Sequence, residues 1–340
     1  MKNLIFKISD YIEPDQLWEE AECKKIGVDF QYYQLKEAPP AEIIEKVGDA
    51  DIVLVNMANF TEEVIAGLNT TKVLIRHGIG YDNVDVPAVT DHGIIFANEA
   101  TASSIDVAEQ AVMLMFGAYR KINVQREIVQ ESPGNAQYRF RKTYPLYRIE
   151  GKTLGIVGCG NIGRIVLRKM LSFGFERILV CDPYLPEEKL NELGVNHTPL
   201  DELLSQSDIV TIHVPLNEET RHMFNIGRFR QMKKSAVIVN TSRGPIVQTA
   251  DLIKALRDGL LAGAGLDVME PEPPDVGCEL LDMNNVVLTP HHAWYSEEGG
   301  WDIRYMIMDD VRAIVNGKLP KHVVNPEVLD MPVLRMKLNY

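Results

Sequence analysis

The sequence predicts an α/β protein made of two doubly wound parallel sheets, one carried by the middle of the chain and the other by its two ends. Three observations lead there. Short apolar runs of strand length alternate with amphipathic stretches of helical length up to about residue 290. A glycine-punctuated strand, turn and helix lies within residues 153–182. A last amphipathic stretch, residues 297–316, follows the final strand of the middle region and is expected to return to the first domain, making that domain discontinuous.

Strands are expected first at 3–8, 28–34, 52–55, 73–76 and 94–97, with helices near 14–25, 40–48, 60–68 and 86–92. The fourth strand runs into Arg76-His77-Gly78-Ile79-Gly80-Tyr81. Ligands of open parallel sheets gather at the carboxyl ends of strands, where a loop with two glycines can aim backbone N–H groups at an anion. Arg76 adds a fork suited to a carboxylate. The plainer alternative is a strand-ending turn with a solvated arginine. From residue 103 a long helix is expected, with Val107, Ala111, Leu114, Met115 and Ala118 as its apolar stripe, facing either core or a second subunit. Residues 121–150 are polar, contain Pro133-Gly134 and several Arg and aromatic residues, and suit a linker or a dimer-contact arm.

The stretch 153–182 then places Gly158, Gly160 and Gly163 in G-x-G-x-x-G spacing directly after an apolar strand. The first glycine permits the tight turn, the second lets backbone approach a pyrophosphate, and the third lets the helix close on the strand. The pyrophosphate would sit at the helix N-terminus, where free N–H groups and the helix dipole favour negative charge. Asp182 ends the second strand, nineteen residues after Gly163. That is where an acid accepts hydrogen bonds from an adenosine ribose and repels a 2′-phosphate, which selects NAD over NADP. A turn cap before Pro183 is the alternative. Further strands are expected at 209–214, 236–241, 262–268 and 286–288. The last helix is expected to carry Trp301, Tyr305, Met308, Val311 and Val315 on one face.

A chain of 340 residues with a net charge of −13 has room for two cores and offers no general surface for nucleic acid or an anionic membrane. Its apolar N-terminal run is too short for a secretory segment, no run reaches membrane-spanning length, and a cytoplasmic protein is expected. Cys23, Cys159, Cys181 and Cys278 show no C-x-x-C pair, so neither a disulfide framework nor a zinc site is indicated, and no metal is expected.

Three pieces follow the glycine turn, each at the end of an expected strand: Asn240-Thr241-Ser242-Arg243-Gly244, Leu266-Asp267-Val268-Met269-Glu270-Pro271-Glu272-Pro273, and Thr289-Pro290-His291-His292-Ala293-Trp294. An arginine, an acid and a histidine are what reduction of a 2-oxo acid requires. The arginine holds the carboxylate and polarises the carbonyl, the histidine gives a proton to the developing alkoxide, and the acid orients the histidine and favours its charged form. Singly, each has an ordinary reading as a turn arginine, a solvated acid or a surface histidine; their order behind a dinucleotide turn makes the set specific.

With these motifs the chain resembles the D-isomer-specific 2-hydroxyacid dehydrogenases over nearly its whole length, through RHGIGYDNVD, GCGNIG, NTSRG, LDVMEPEP and TPHHAW. The resemblance implies a Rossmann NAD-binding domain, residues 102–292, inserted into a flavodoxin-like substrate domain formed by 1–101 and 293–340. It implies Arg243 as the substrate arginine, Glu272 as the acid and His291 as the proton donor, with His292 outside the motif. Cofactor contacts are implied for Asn161, Ile162, His213, Val214, Pro215, Thr220, Thr241, Ser242, Arg243 and His291 beside the glycines and Asp182, with Asp267 at the nicotinamide carboxamide. Substrate contacts are implied for Arg76, Gly78, Ile79 and Trp294.

Within the family, DPYL at 182–185 and HHAWYSEE at 291–298 look most like the carboxy-terminal-binding-protein branch of corepressors, although Ile79 replaces that branch's small polar residue. The implied assembly is a homodimer. The expected function is reduction of a small 2-oxo acid to a D-2-hydroxy acid. A low-turnover NAD(H)-responsive binding protein and a D-3-phosphoglycerate dehydrogenase are the alternatives. Trp294 offers a large apolar surface, which favours an unphosphorylated substrate such as 4-methylthio-2-oxobutyrate. The alternative for Trp294 is a packing residue beneath the site.

Overall fold

The computed structural model describes residues 3–134 and 137–338. Residues 1–2, residues 135–136 of the expected arm, and residues 339–340 lie outside the described residues. The chain forms two compact units, 1–103 with 296–340, and 104–295.

The first unit alternates β1 (Ile5–Ile8), α1 (Leu17–Lys25), β2 (Asp29–Tyr32), α2 (Pro40–Val47), β3 (Ile52–Val55), α3 (Glu62–Ala66), β4 (Val73–Arg76), α4 (Val86–Asp91) and β5 (Ile95–Asn98). All pairings are parallel, in the order β2-β1-β3-β4-β5. Every residue of β3, β4 and β5 is buried, as a strand covered on both faces requires, whereas the edge strand β2 is largely exposed. Proline opens α2, and the Asp85 carboxylate caps α4 by accepting from Ala88 N–H at 3.0 Å.

The end of the chain belongs to this unit. A long helix, Glu297–Val315, packs Ile303, Ile307, Met308, Val311 and Ile314 into the core that also holds Phe6, Ile8 and Ile75. Its buried stripe keeps Met308 and Val311 of the expected face, with Val315 packed against it, but Trp301 and Tyr305 remain substantially exposed, stacked on each other beside Trp18. Two glutamates, two glycines and alternating charges leave the 3.6-residue phase of this helix ambiguous in the sequence. Arg304 forks onto Glu19 of α1 at 2.5 and 2.6 Å. Fully buried Asn325 accepts from Phe96 N–H at 2.8 Å and donates to Ile94 O and Thr90 Oγ1, tying the tail to β5.

The second unit opens with α5 (Ser104–Tyr119) and α6 (Ile122–Gln130), then runs β6 (Thr153–Val157), α7 (Asn161–Met170), β7 (Arg177–Cys181), α8 (Glu187–Glu192), α9 (Leu200–Gln206), β8 (Ile209–Ile212), α10 (Ile226–Phe229), β9 (Val237–Asn240), α11 (Thr249–Arg257), β10 (Gly263–Leu266) and β11 (Val286–Leu288). The helix Glu297–Val315 is thus α12. The six strands are parallel in the order β11-β10-β9-β8-β6-β7, so the direction of winding reverses between β6 and β8. Such a switch point opens a crevice at the carboxyl ends of the strands.

The stretch 121–150 is not wholly irregular. After Lys121, whose φ of 53° breaks the preceding helix, residues 122–130 form α6, which buries only Val124 and Ile128. A one-turn stripe of two residues is too faint to separate from a polar linker. Among the described residues no helix is long and apolar enough to cross a membrane.

Candidate active site

The second unit assembles its site at the switch point. Gly158 leaves β6 at a φ of 88° and donates its N–H to Cys181 O at 2.8 Å. A Cβ on it would come within 2.7 Å of the His213 carbonyl, so the ends of β6 and β8 meet here with no room for a side chain. Gly163, in the first turn of α7, faces Gly158 so closely that a Cβ would overlap its carbonyl oxygen. At Gly160, by contrast, nothing stands within 4 Å of the Cβ position. A side chain there would fill the space just before α7, where the helix presents its free N–H groups.

Asp182 stands immediately after β7. Its Oδ2 accepts from Cys159 N–H at 2.7 Å and its Oδ1 from Tyr184 and Leu185 N–H at 3.0 and 3.2 Å. It therefore caps its own turn and braces the glycine turn, and a carboxylate has capacity for one further donor. His213 follows β8, with its Nε2 3.0 Å from Thr211 Oγ1. Burial pushes its imidazole down to about 3, so it is neutral at physiological pH. His213 Nδ1 and Thr241 Oγ1 are buried without a hydrogen-bond partner among the described residues. Open space at Gly160, an acid at the ribose spacing and two orphaned polar atoms just after β8 and β9 fit a dinucleotide. Thr220 serves the loop itself, donating to Pro215 O at 2.7 Å while its N–H meets Asn217 Oδ1 at 2.9 Å.

The carboxyl ends of β9, β10 and β11 bring the expected triad into one neighbourhood. Asn240 shapes the first turn: its Oδ1 accepts from Ser242 N–H at 3.0 Å and its Nδ2 donates to Arg243 O at 2.8 Å. Ser242 Oγ donates to Ile212 O at 3.0 Å, and Arg243 Nη1 donates to Ser242 O at 2.8 Å. His291 takes a left-handed backbone, φ 52°, unusual for a residue with a side chain. Its N–H donates to Asp267 O at 2.8 Å, and its Nδ1–H donates to Glu272 Oε1. The two side chains are 34% and 35% exposed, open enough to meet a ligand. Burial pushes the Glu272 carboxyl up, but the hydrogen bond from His291 and its charge, Met269 N–H and the charge of Arg243 together hold it below its ordinary value. Glu272 is thus an ionised acceptor that feels both partners of the set.

Asp267, expected at the nicotinamide, is 1% exposed and makes its contacts inside the chain. Its Oδ1 accepts from Thr289 Oγ1 at 2.5 Å and His292 N–H at 3.1 Å, and its Oδ2 from Ala293 N–H at 3.0 Å. It holds the loop that carries His291. Trp294 is half-buried and meets His292 and Tyr295 edge to face at 5.8 and 5.4 Å, in an aromatic group that includes the stacked pair His292–Tyr295.

In the first unit, Arg76, Gly78 and Ile79 lie at the carboxyl end of β4. Arg76 is buried and donates from Nη1 to Asn56 Oδ1 at 3.4 Å, and Gly78 takes a φ of 119°. Asn98 Nδ2 occupies the Ile79 carbonyl at 2.7 Å. Sequence reasoning missed what steadies this end. Buried Asp10 accepts from the N–H groups of Asn56, Met57 and Ala58 at 3.2, 2.6 and 3.2 Å. His77 Nε2–H donates to Glu13 at 2.8 Å. Burial pushes the Glu13 carboxyl up, but that bond and the charge of His77, with backbone N–H groups, outweigh it and hold the group at about 2. An acid two residues past the end of a strand at the switch point was a usable signal for Asp10; a pair separated by 64 residues gave none.

A dinucleotide cradle joined to an arginine, an ionised glutamate and a histidine defines a pyridine-nucleotide-dependent oxidoreductase. Residues 112–293 match the family model described as D-isomer specific 2-hydroxyacid dehydrogenase, NAD binding domain. A glyoxylate reductase of Korarchaeum cryptofilum is 38% identical over 86% of this chain and 89% of its own length. A D-3-phosphoglycerate dehydrogenase of Methanocaldococcus jannaschii is 37% identical over 84% of this chain, which spans about half, 53%, of that protein. Among solved structures, a glyoxylate reductase from Paecilomyes thermophila superposes with a TM-score of 0.84 at 29% identity, covering 96% of this chain and 99% of that one. The chain belongs to the D-isomer-specific 2-hydroxyacid dehydrogenase family and is an NAD-dependent oxidoreductase of that class.

Proposed function

We propose that the protein reduces a small, unphosphorylated 2-oxo acid to the D-2-hydroxy acid with Arg243, Glu272 and His291 as its reacting set. The observation that carries the assignment is the His291–Glu272 bond formed at the carboxyl edge of the same sheet as the glycine cradle, with the charge of Arg243 felt at Glu272. NADH, when bound, supplies the hydride for the carbonyl carbon. The Arg243 guanidinium binds the substrate carboxylate and polarises the carbonyl. Because Nδ1 of His291 is committed to Glu272, Nε2 is the atom that hands a proton to the substrate oxygen. Glu272 fixes ring orientation and tautomer and stabilises the charged imidazolium.

The first unit is assigned as the substrate domain, with Arg76 and the backbone N–H groups around Gly78 and Ile79 as its contacts. Trp294 is assigned to the substrate side chain, which disfavours a phosphorylated acid. The stripe Val107, Ala111, Leu114, Met115 and Ala118 is buried within the chain itself, so a homodimer is assigned instead on the exposed apolar residues of α5, α6 and the following segment, among them Ile105, Met113, Val129, Tyr138, Phe140 and Tyr144. The protein is assigned to the cytoplasm. Removal of the proton donor tests the reading: His291→Gln should lose 10²–10⁴-fold in kcat, the range of general acid catalysis, with NADH affinity kept. Near-normal turnover in that variant would refute it.

A further inference from the structure

We infer that His222 is a positioning residue of this site, and that its clasp on Glu270 sets where Glu272 stands relative to Arg243. The inference rests on the reading of Arg243, Glu272 and His291 given above. Residues 267–278, between β10 and the short helical turn at Glu279–Leu281, belong to no helix or strand. The placement of Glu272 therefore depends on discrete contacts. One is local: Met269 N–H donates to Glu272 Oε2 at 3.4 Å. Two residues before Glu272, the Glu270 carboxylate reaches the other way. It accepts from His222 Nε2–H at 2.6 Å and from Arg221 Nη1 at 3.4 Å.

His222 also holds the arginine side. Its backbone N–H donates to Pro245 O at 2.8 Å, two residues beyond Arg243, and Phe224 N–H continues the pairing to Ile246 O at 3.0 Å. The turn after Arg243 in turn lies on the loop that bears Glu272, since a Cβ at Gly244 would overlap the Met269 carbonyl. One residue thus grips both sides, the Arg243 turn by its backbone and the Glu272 loop by its ring. His222 does so in a left-handed backbone, φ 50°, which a residue with a Cβ disfavours. In that conformation its N–H meets Pro245 O while its imidazole meets Glu270.

An ordinary surface ion pair is the competing account, because the His222 and Glu270 side chains are 40% and 32% exposed and such pairs contribute little to stability. The two accounts differ in what they move. A surface pair shifts melting slightly and leaves catalysis alone, whereas a positioning clasp changes kcat, because displacement of a reacting group by about 1 Å costs up to 10²-fold.

The experiment compares wild type, His222→Ala, Glu270→Ala, Glu270→Gln, the His222→Ala/Glu270→Ala double variant and His291→Gln. Each is measured for kcat and KM with a 2-oxo acid, for NADH affinity by fluorescence titration, and for melting temperature. The two single alanine variants should each lose about tenfold in kcat with NADH affinity within twofold of wild type. The double variant should be no worse than either single, because both remove the same clasp. Glu270→Gln keeps an acceptor for the ring and should recover most of kcat. Alanine variants within twofold of wild type in kcat, multiplicative losses in the double variant, or NADH affinity falling in step with kcat would each overturn the clasp while an inactive His291→Gln leaves the reading of the site intact. An active His291→Gln would overturn that reading, and the clasp with it.

Discussion

Glu99→Gln should stabilise the protein by an amount that grows with pH. Glu99 follows β5 in the first unit, is 1% exposed, and leaves Oε1 without a partner among the described residues. Burial, and then the charge of Asp310, push its carboxyl up from an ordinary 4.5 to about 8; Asp309 adds to this and Lys321 opposes it. Between those two values the folded protein keeps a proton that the unfolded chain has released. Stability therefore falls as pH rises through this window, by at most about 1.4 kcal/mol per pH unit, and the fall ends above about pH 8. From pH 6 to pH 8 the cost is about 2–3 kcal/mol. Glutamine has nearly the same shape and cannot ionise, so the variant lacks this decline. Urea unfolding of wild type and variant at pH 6, 7 and 8 measures it through the extrapolated stabilities. The difference, variant minus wild type, should widen steadily with pH. Parallel curves would show that Glu99 titrates as an ordinary glutamate and that its burial exerts no such cost.

Asp182→Ala should weaken NADH binding about tenfold or more while NADPH binding changes less, because the variant loses a charged acceptor for ribose hydroxyls and also a repulsive charge; titrations showing equal loss for both would contradict this. Light scattering at micromolar concentration should give twice the mass of the 38.3 kDa chain, and a monomer would remove the role given to the exposed residues of α5 and α6. Wild type should prefer 4-methylthio-2-oxobutyrate to 3-phosphohydroxypyruvate in kcat/KM, and Trp294→Ala should narrow that preference. A preference for the phosphorylated acid unaffected by the substitution would make Trp294 a packing residue and point to the D-3-phosphoglycerate dehydrogenase alternative.

The two sheets were legible because strands buried on both faces must be apolar without interruption, as in Ile52–Val55 and Val73–Arg76 up to its terminal arginine. The glycine turn was legible because Gly158 and Gly163 each occupy a place that excludes a Cβ. Motif order placed Arg243, Glu272 and His291 on neighbouring strand ends, and the His291–Glu272 bond follows from that placement. What remained hidden depends on contacts between distant positions. The Glu13–His77 and His222–Glu270 pairs join residues 64 and 48 apart, and each member alone reads as a solvated residue. Helix α6 buries two side chains, too few for a periodic signal. In α12 the expected face was right at Met308 and Val311 and wrong at Trp301 and Tyr305, because aromatic rings paired with one another and with Arg304 can stay at the surface.

The most direct test of the central claim is steady-state oxidation of NADH by the wild-type protein with a panel of 2-oxo acids that includes glyoxylate, 4-methylthio-2-oxobutyrate and 3-phosphohydroxypyruvate. The arrangement of Arg243, Glu272 and His291 predicts saturable turnover on at least one unphosphorylated member, with a D-2-hydroxy acid as product. Tight NADH binding with no turnover on any member would contradict it and leave the NAD(H)-responsive binding protein as the better account.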